Sequence, residues 1–229
     1  MEGFEYIKNN LDELKSEIKE LSAKYGNEVT LVCVTKSGSD EELSALVGYG
    51  ATDIGENRPQ ELKRRGDLLS EQGYTPALHE IGNLQRNKVK MIAEKVALIH
   101  SLDSYELALE IDKRAKEFGR IIPVLIEVNS AEEEQKGGIL PENAEEFCKS
   151  ISSLDGISVR GLMTMGPVCD DPEEIRPYFR KVRLLFEEMK AHGSFEGDGI
   201  LSMGMSDSYR VAIEEGSTLV RIGRRLFVK

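Results

Sequence analysis

The chemistry legible in this chain begins with one amine and two glycine-containing turns. Lys36 ends the run EVTLVCVTK at 28–36, where an apolar stretch gives way to Ser37-Gly38. A lysine there can be an ordinary solvated amine. Held in a pocket that favours its neutral form, it is a nucleophile able to form a Schiff base with a carbonyl. Farther along, SMGMSD at 202–207 and RIGR at 221–224 place Ser202, Gly204, Ser206 and Gly223 at turns next to Arg221 and Arg224. Backbone N–H groups at such turns, and the start of a following helix, can face an anion, and Gly223 lets an oxygen approach the backbone closely. The same residues also serve as plain turn and cap residues. Combined with Lys36, they describe a site for a phosphorylated carbonyl compound, with phosphate on one side and amine on the other.

Other candidates are weaker taken singly. GENRPQ at 55–60 offers Asn57 and Arg58, either as hydrogen-bonding and positive groups near Lys36 or as a loop that opens a helix at Pro59. His79 lies inside a predicted strand and reads as a core histidine or a ligand contact. Met163, Met165, Met203 and Met205 alternate along strands and read as barrel packing. Glu132–Glu134 reads as a solvated acidic loop, with Lys136 beyond it as an amine able to turn inward.

The elements that must position these residues alternate. Residues 4–24 place Phe4, Ile7, Leu11, Leu14, Ile18 and Leu21 on one helical stripe. Strands are then predicted at 28–36, 53–56, 77–81, 96–102, 123–128, 157–165, 200–203 and 218–222. Helices are predicted between them at 39–49, 60–69, 85–95, 105–118, 141–151, 172–192 and 207–214. Such alternation implies a parallel sheet, open or closed. Eight units in 229 residues favour a single (β/α)8 TIM barrel over 1–229, a fold that typically spans ~200 to 400 residues. No helix follows the eighth strand, so the N-terminal amphipathic helix is expected to cover the gap between the last strand and the first. On a barrel, every candidate above falls at the C-terminal rim, the working face of the fold.

Composition bounds the function classes. A net charge of −11 argues against a general nucleic-acid or anionic-membrane binder. No apolar stretch has the length of a membrane span, and the charged, amphipathic N-terminus is no signal peptide. Cys33, Cys148 and Cys169 are odd in number and far apart, with no disulfide or zinc pattern, so a cytoplasmic setting without a metal is expected.

TK at 35–36, GENRPQEL at 55–62, HEIGNLQRNK at 79–88, RGLMTMG at 160–166, LSMGMSD at 201–207 and GSTLVRIG at 216–223 occur in order. Together they resemble the pyridoxal phosphate homeostasis protein family, small relatives of the alanine racemase N-terminal barrel, over essentially the whole chain. The resemblance implies a single barrel binding pyridoxal 5′-phosphate as an internal aldimine on Lys36. It places Ser202, Gly223 and Arg224 at the phosphate, Arg221 at the pyridine nitrogen, and Asn57 and His79 near the cofactor. Leu78, usually aromatic, and Pro59, usually aliphatic, depart from the pattern at the periphery. An arginine at the ring nitrogen keeps it unprotonated and weakens the ring as an electron sink. Racemases of this kind also use a tyrosine from a second, β-rich domain, for which the sequence ending at Lys229 shows no counterpart. The resemblance therefore implies a monomeric binder and regulator of pyridoxal phosphate, with apo forms of pyridoxal phosphate enzymes as partners and no established catalytic activity. Two alternatives remain: a racemase-like enzyme of low activity using the same cofactor, and a class I aldolase-like barrel whose lysine takes a sugar phosphate directly.

Overall fold

Strand and helix alternate as expected, and the sheet closes on itself. The computed structural model describes residues 3–133 and 137–229. Its strands are β1 Thr30–Val34, β2 Asp53–Glu56, β3 Ala77–Glu80, β4 Leu98–Leu102, β5 Ile122–Glu127, β6 Ile157–Met163, β7 Ile200–Ser202 and β8 Leu219–Ile222. They form a closed parallel barrel in sequence order, sealed where β1 pairs with β8. The helices are α1 Glu5–Tyr25, α2 Asp40–Gly48, α3 Pro59–Glu71, α4 Val89–Ile92, α5 Tyr105–Glu117, α6 Ala144–Ser150, α7 Arg176–Ala191 and α8 Tyr209–Glu214. This is the (β/α)8 barrel predicted from the alternation.

Two kinds of apolar contact hold it. Between barrel and helices, the outward strand residues meet the buried stripes of the helices, as with Cys33, Ile54 and Ile99 against Leu43, Leu62 and Ile111. Inside the barrel, Val32, Leu98, Leu125, Met163 and Leu219 form a separate small cluster. Such interior layers make the barrel a packed core rather than a pore.

The α1 helix lies against α8 and α2, closing the seam between the last unit and the first. It buries Ile7, Leu11, Leu14 and Ile18, the predicted stripe. Asn10 Nδ2 donates to the carbonyls of Leu226 and Val228, tying the C-terminal segment to it.

The structure corrects several predicted boundaries. The helix expected over 85–95 is a short 3-10 turn, Arg86–Lys88, and the single-turn α4. The turn at Gly82 is pressed against Asn57, where an added Cβ would lie 2.3 Å from the Asn57 carbonyl oxygen, and the remaining link to β4 leaves room for one α turn. Strand β6 stops at Met163 and β7 at Ser202. Met165 and Met205 therefore sit exposed beyond the strand ends, while Met163 and Met203 are packed as expected. Gly161 sits at the register shift between β5 and β6, with φ +146°. A Cβ there would fall 2.0 Å from the Ile200 carbonyl oxygen. Lys136 lies outside the described residues.

Candidate functional site

Lys36 is exposed in the turn that follows β1, at the C-terminal rim. The backbone that presents it is held from behind. Thr35 N–H donates to the Gly55 carbonyl and Gly38 N–H to the Thr35 carbonyl. From α3, Arg65 reaches into the same turn: Nη1 donates to the Thr35 carbonyl at 2.5 Å and to Glu56 Oε1 at 2.6 Å, and Nη2 donates to the Gly38 carbonyl at 2.7 Å. Thr35 Oγ1 donates to the same Glu56 oxygen at 2.5 Å. Arg65, Glu56 and Thr35 are all buried, so a paired charge inside the wall clamps the loop that carries the lysine. Asn57 and Arg58 are exposed on the neighbouring rim loop.

The turns after β7 and β8 meet beside this lysine turn. Gly223 N–H donates to Ser206 Oγ at 3.4 Å, joining the two turns. Strand β8 is the hydrogen-bonded neighbour of β1, and a Cβ on Gly223 would lie 2.9 Å from the Val34 carbonyl oxygen, so the chain needs glycine there. Gly204 has φ +96°, and a Cβ on it would fall 2.5 Å from Ala212. Arg224 is exposed and ion-paired with Asp207. The expected helix over 207–214 begins only at Tyr209, so the residues before it form a turn rather than a helical start. An amine, two glycine-bearing turns, a hydroxyl and a guanidinium thus line one edge of the rim, a donor set suited to a phosphorylated carbonyl compound.

Ser202, Arg221 and His79 lie deeper, inside the barrel. Arg221 Nη1 donates to Ser202 Oγ at 2.5 Å and Nη2 to the Thr164 carbonyl at 3.1 Å. Ser202 Oγ is 3.0 Å from His100 Nδ1, and His100 Nε2 is 3.0 Å from His79 Nδ1. Burial pushes the Arg221 guanidinium down to about 10, with Glu127 opposing the shift. Burial likewise pushes the Glu127 carboxyl up to about 7, helped by Asp103 and opposed by Arg221.

The model of the alanine racemase N-terminal domain matches residues 9–228. A pyridoxal phosphate homeostasis protein of Aquifex aeolicus is 44% identical over 197 residues, covering 86% of this chain and 85% of the relative. One from Helicobacter pylori is 37% identical over 224 residues, covering 96% and 97%. The chain belongs to the pyridoxal phosphate homeostasis protein family. Among solved structures, PipY of Synechococcus elongatus, solved with PLP bound, superposes with a TM-score of 0.84 at 28% identity, covering 97% of this chain and 100% of that one. An alanine racemase of Clostridium difficile shares the fold, with a TM-score of 0.74 at 18% identity, over 98% of this chain and 56% of the racemase.

Across this member of the homeostasis protein family, the predicted site residues fall into two tiers. Lys36, Asn57, Gly223 and Arg224 stand at the rim, while Ser202, Arg221 and His79 are joined through His100 in the interior. The two departures from the family pattern are packing residues: Leu78 fills the space over Gly66, and Pro59 is buried in the first turn of α3. Sequence reasoning passed over Arg65, His100 and Asp53. Arg65 carries a local signal, a charge on the buried stripe between Leu62 and Leu69. His100 interrupts the apolar run VALIHSL. Asp53, at the first position of β2, carries no such mark. Among the described residues, no group of three or more His, Cys, Asp or Glu side chains is placed to hold a metal ion, and no helix is long and apolar enough to cross a membrane.

Proposed function

We propose that this chain binds pyridoxal 5′-phosphate covalently through Lys36 and serves to hold and release it in vitamin B6 homeostasis. The observation that carries the reading is the adjacency of two turns: the Lys36 turn at the end of β1 and the Gly223 turn at the end of its barrel partner β8. A ligand with a carbonyl at one end and a phosphate at the other spans that edge. The names of the relatives and the PLP-bound PipY support the choice of ligand. Lys36 takes the carbonyl carbon. Gly223, Ser206 and Arg224 take the phosphate, Arg221 faces the ring nitrogen, and Asn57 lines the rim. Ser202, expected at the phosphate, is instead buried with its hydroxyl engaged by Arg221 and His100. In this reading it acts with His79 from beneath, through Arg221, and Ser206 serves the phosphate at the rim.

When bound, the cofactor supplies an electron-withdrawing ring. A buried guanidinium at the ring nitrogen opposes its protonation and so restrains that ring. This favours holding the cofactor over using it. In this reading residues 1–229 act as one barrel, as a monomer in the cytoplasm, passing the cofactor to apo forms of the enzymes that need it.

The test is a titration of the purified chain with pyridoxal 5′-phosphate. A visible absorption band is expected, bleached by borohydride and absent in Lys36→Ala. A wild-type chain that develops no band sinks the proposal and leaves a cofactor-free aldolase-like barrel in its place. One observation favours the second reading, a weak racemase-like activity: Glu127 ends β5 at the C-terminal rim, where burial raises its carboxyl, and a carboxyl so placed is a candidate proton-transfer group. Sustained exchange of amino-acid α-protons in deuterium oxide, lost in Glu127→Gln, would favour it.

A further inference from the structure

Four hydrogen bonds run end to end through the barrel interior. Arg221 Nη1 meets Ser202 Oγ at 2.5 Å. Ser202 Oγ to His100 Nδ1, His100 Nε2 to His79 Nδ1, and His79 Nε2 to Asp53 Oδ1 are each 3.0 Å. Asp53 opens β2 at the N-terminal pole of the barrel, whereas Ser202 closes β7 near the working rim. The chain of bonds therefore crosses the core from one pole towards the other.

Its two ends fix the direction of every bond between them. A guanidinium only donates, so Ser202 Oγ accepts from Arg221. The Ser202 hydroxyl is fully buried, and donating to His100 Nδ1 satisfies it. His100 then carries its proton on Nε2 and donates to the bare Nδ1 of His79. His79 in turn carries its proton on Nε2 and donates to Asp53, whose carboxylate only accepts. Burial alone would raise the Asp53 carboxyl, but hydrogen bonds from His79 and Thr52 outweigh it and hold the group below its ordinary range. Burial, with His79 and Arg221 nearby, drives His100 to its neutral form. Gly55, opposite His79 in the β2–β3 register, adds no side chain to this layer.

We propose that Asp53, His79, His100 and Ser202 form a one-way hydrogen-bond relay that orients Arg221 from beneath and presents it as a donor at the barrel mouth. They are positioning residues: Asp53 sets the tautomer of His79, His79 sets that of His100, and His100 takes the only proton Ser202 has to give. Bonds aligned in one sense polarise one another, so the loss of the distal acceptor is felt at Arg221. The effect on ligand binding rests on the reading that Arg221 faces the ring of pyridoxal phosphate; the tautomers themselves do not.

The chain has three histidines, and His192 is exposed, so nitrogen-15 histidine labelling gives a readable spectrum. Long-range proton–nitrogen correlation spectra of the ligand-free chain at neutral pH are expected to show His79 and His100 as Nε2–H tautomers, with His192 assigned by its loss in His192→Gln. A proton on Nδ1 of His100, or a charged His100, overturns the relay. Asp53→Ala is expected to move both buried histidines towards the Nδ1–H form and to weaken pyridoxal 5′-phosphate binding about tenfold, with the Lys36-dependent band still formed at saturation. Asp53→Asn keeps an acceptor oxygen and is expected to restore both. Wild-type tautomers and wild-type affinity in a folded Asp53→Ala chain overturn the positioning role. A wild-type chain that binds no pyridoxal phosphate fails the site reading instead, and the tautomer spectrum still judges the relay.

Discussion

Arg65 and Glu80 each put a charged residue type into the barrel wall, with opposite consequences. Arg65 is matched by Glu56 and by the carbonyls of Thr35 and Gly38, so its removal leaves a buried carboxylate without its cation. Arg65→Met is expected to destabilise the chain by about 3–5 kcal/mol in urea unfolding, and adding Glu56→Gln to recover part of that loss. Equal stability of the Arg65→Met chain and the wild type would refute the clamp. Glu80 is fully buried, with Oε1 accepting from Gly82 N–H and Oε2 without a partner. Burial pushes its carboxyl from 4.5 up to about 8, partly offset by the Gly82 bond and reinforced by Glu56. Between those values the folded chain keeps a proton that the unfolded chain has released. The contribution of Glu80 to stability is therefore whole below pH 4.5 and lost as pH rises through about 8. Glu80→Gln removes that loss: at pH 5 it should match the wild type, and at pH 9 it should exceed it by about 2–4 kcal/mol. A parallel pH dependence in both chains would count against a buried neutral Glu80.

At the scale of elements, α1 packs on α8 and α2 and covers the seam where β8 meets β1. Its stripe was legible because the periodicity of Ile7, Leu11, Leu14 and Ile18 is local, and its destination followed from the need to cover the seam. Leu11 is fully buried, and Leu11→Ala is expected to cost about 2–5 kcal/mol, with hydrogen exchange accelerated in α8 and α2 as well as in α1. Faster exchange confined to α1 would mean that it packs as an appendage. The ends of β6, β7 and α4 were not legible, because an apolar or helical pattern continues past the point where the barrel stops pairing. Gly161 shows the same limit: its glycine is demanded by the Ile200 carbonyl on the next strand, not by anything in RGLM itself.

At the scale of the molecule, the acidic surface implied by a net charge of −11 and the proposed monomer make a joint prediction. Sedimentation velocity at moderate salt should give one species at the mass of a single chain, unchanged when pyridoxal 5′-phosphate is added. A dimer, with or without the ligand, would refute the monomer. Transfer to an apo-enzyme, measured with and without a trap for free cofactor, separates direct delivery from release into solution: a trap that abolishes transfer excludes direct delivery.

The sequence by itself determined the alternation of elements, the barrel, the lysine at the end of β1 and the glycine turns after β7 and β8. Those are local patterns of periodicity and backbone freedom, readable within a few residues. Only the tertiary structure decided that Ser202, Arg221 and His79 belong to one interior line with His100 and Asp53, and that Arg65 holds the turn beneath Lys36. The reason is physical. Barrel closure brings strands distant in sequence to one axis, and water excluded from that axis forces each polar side chain to find its partner across it. Which partner is available depends on strand register and side-chain reach, and neither is written in the neighbouring residues.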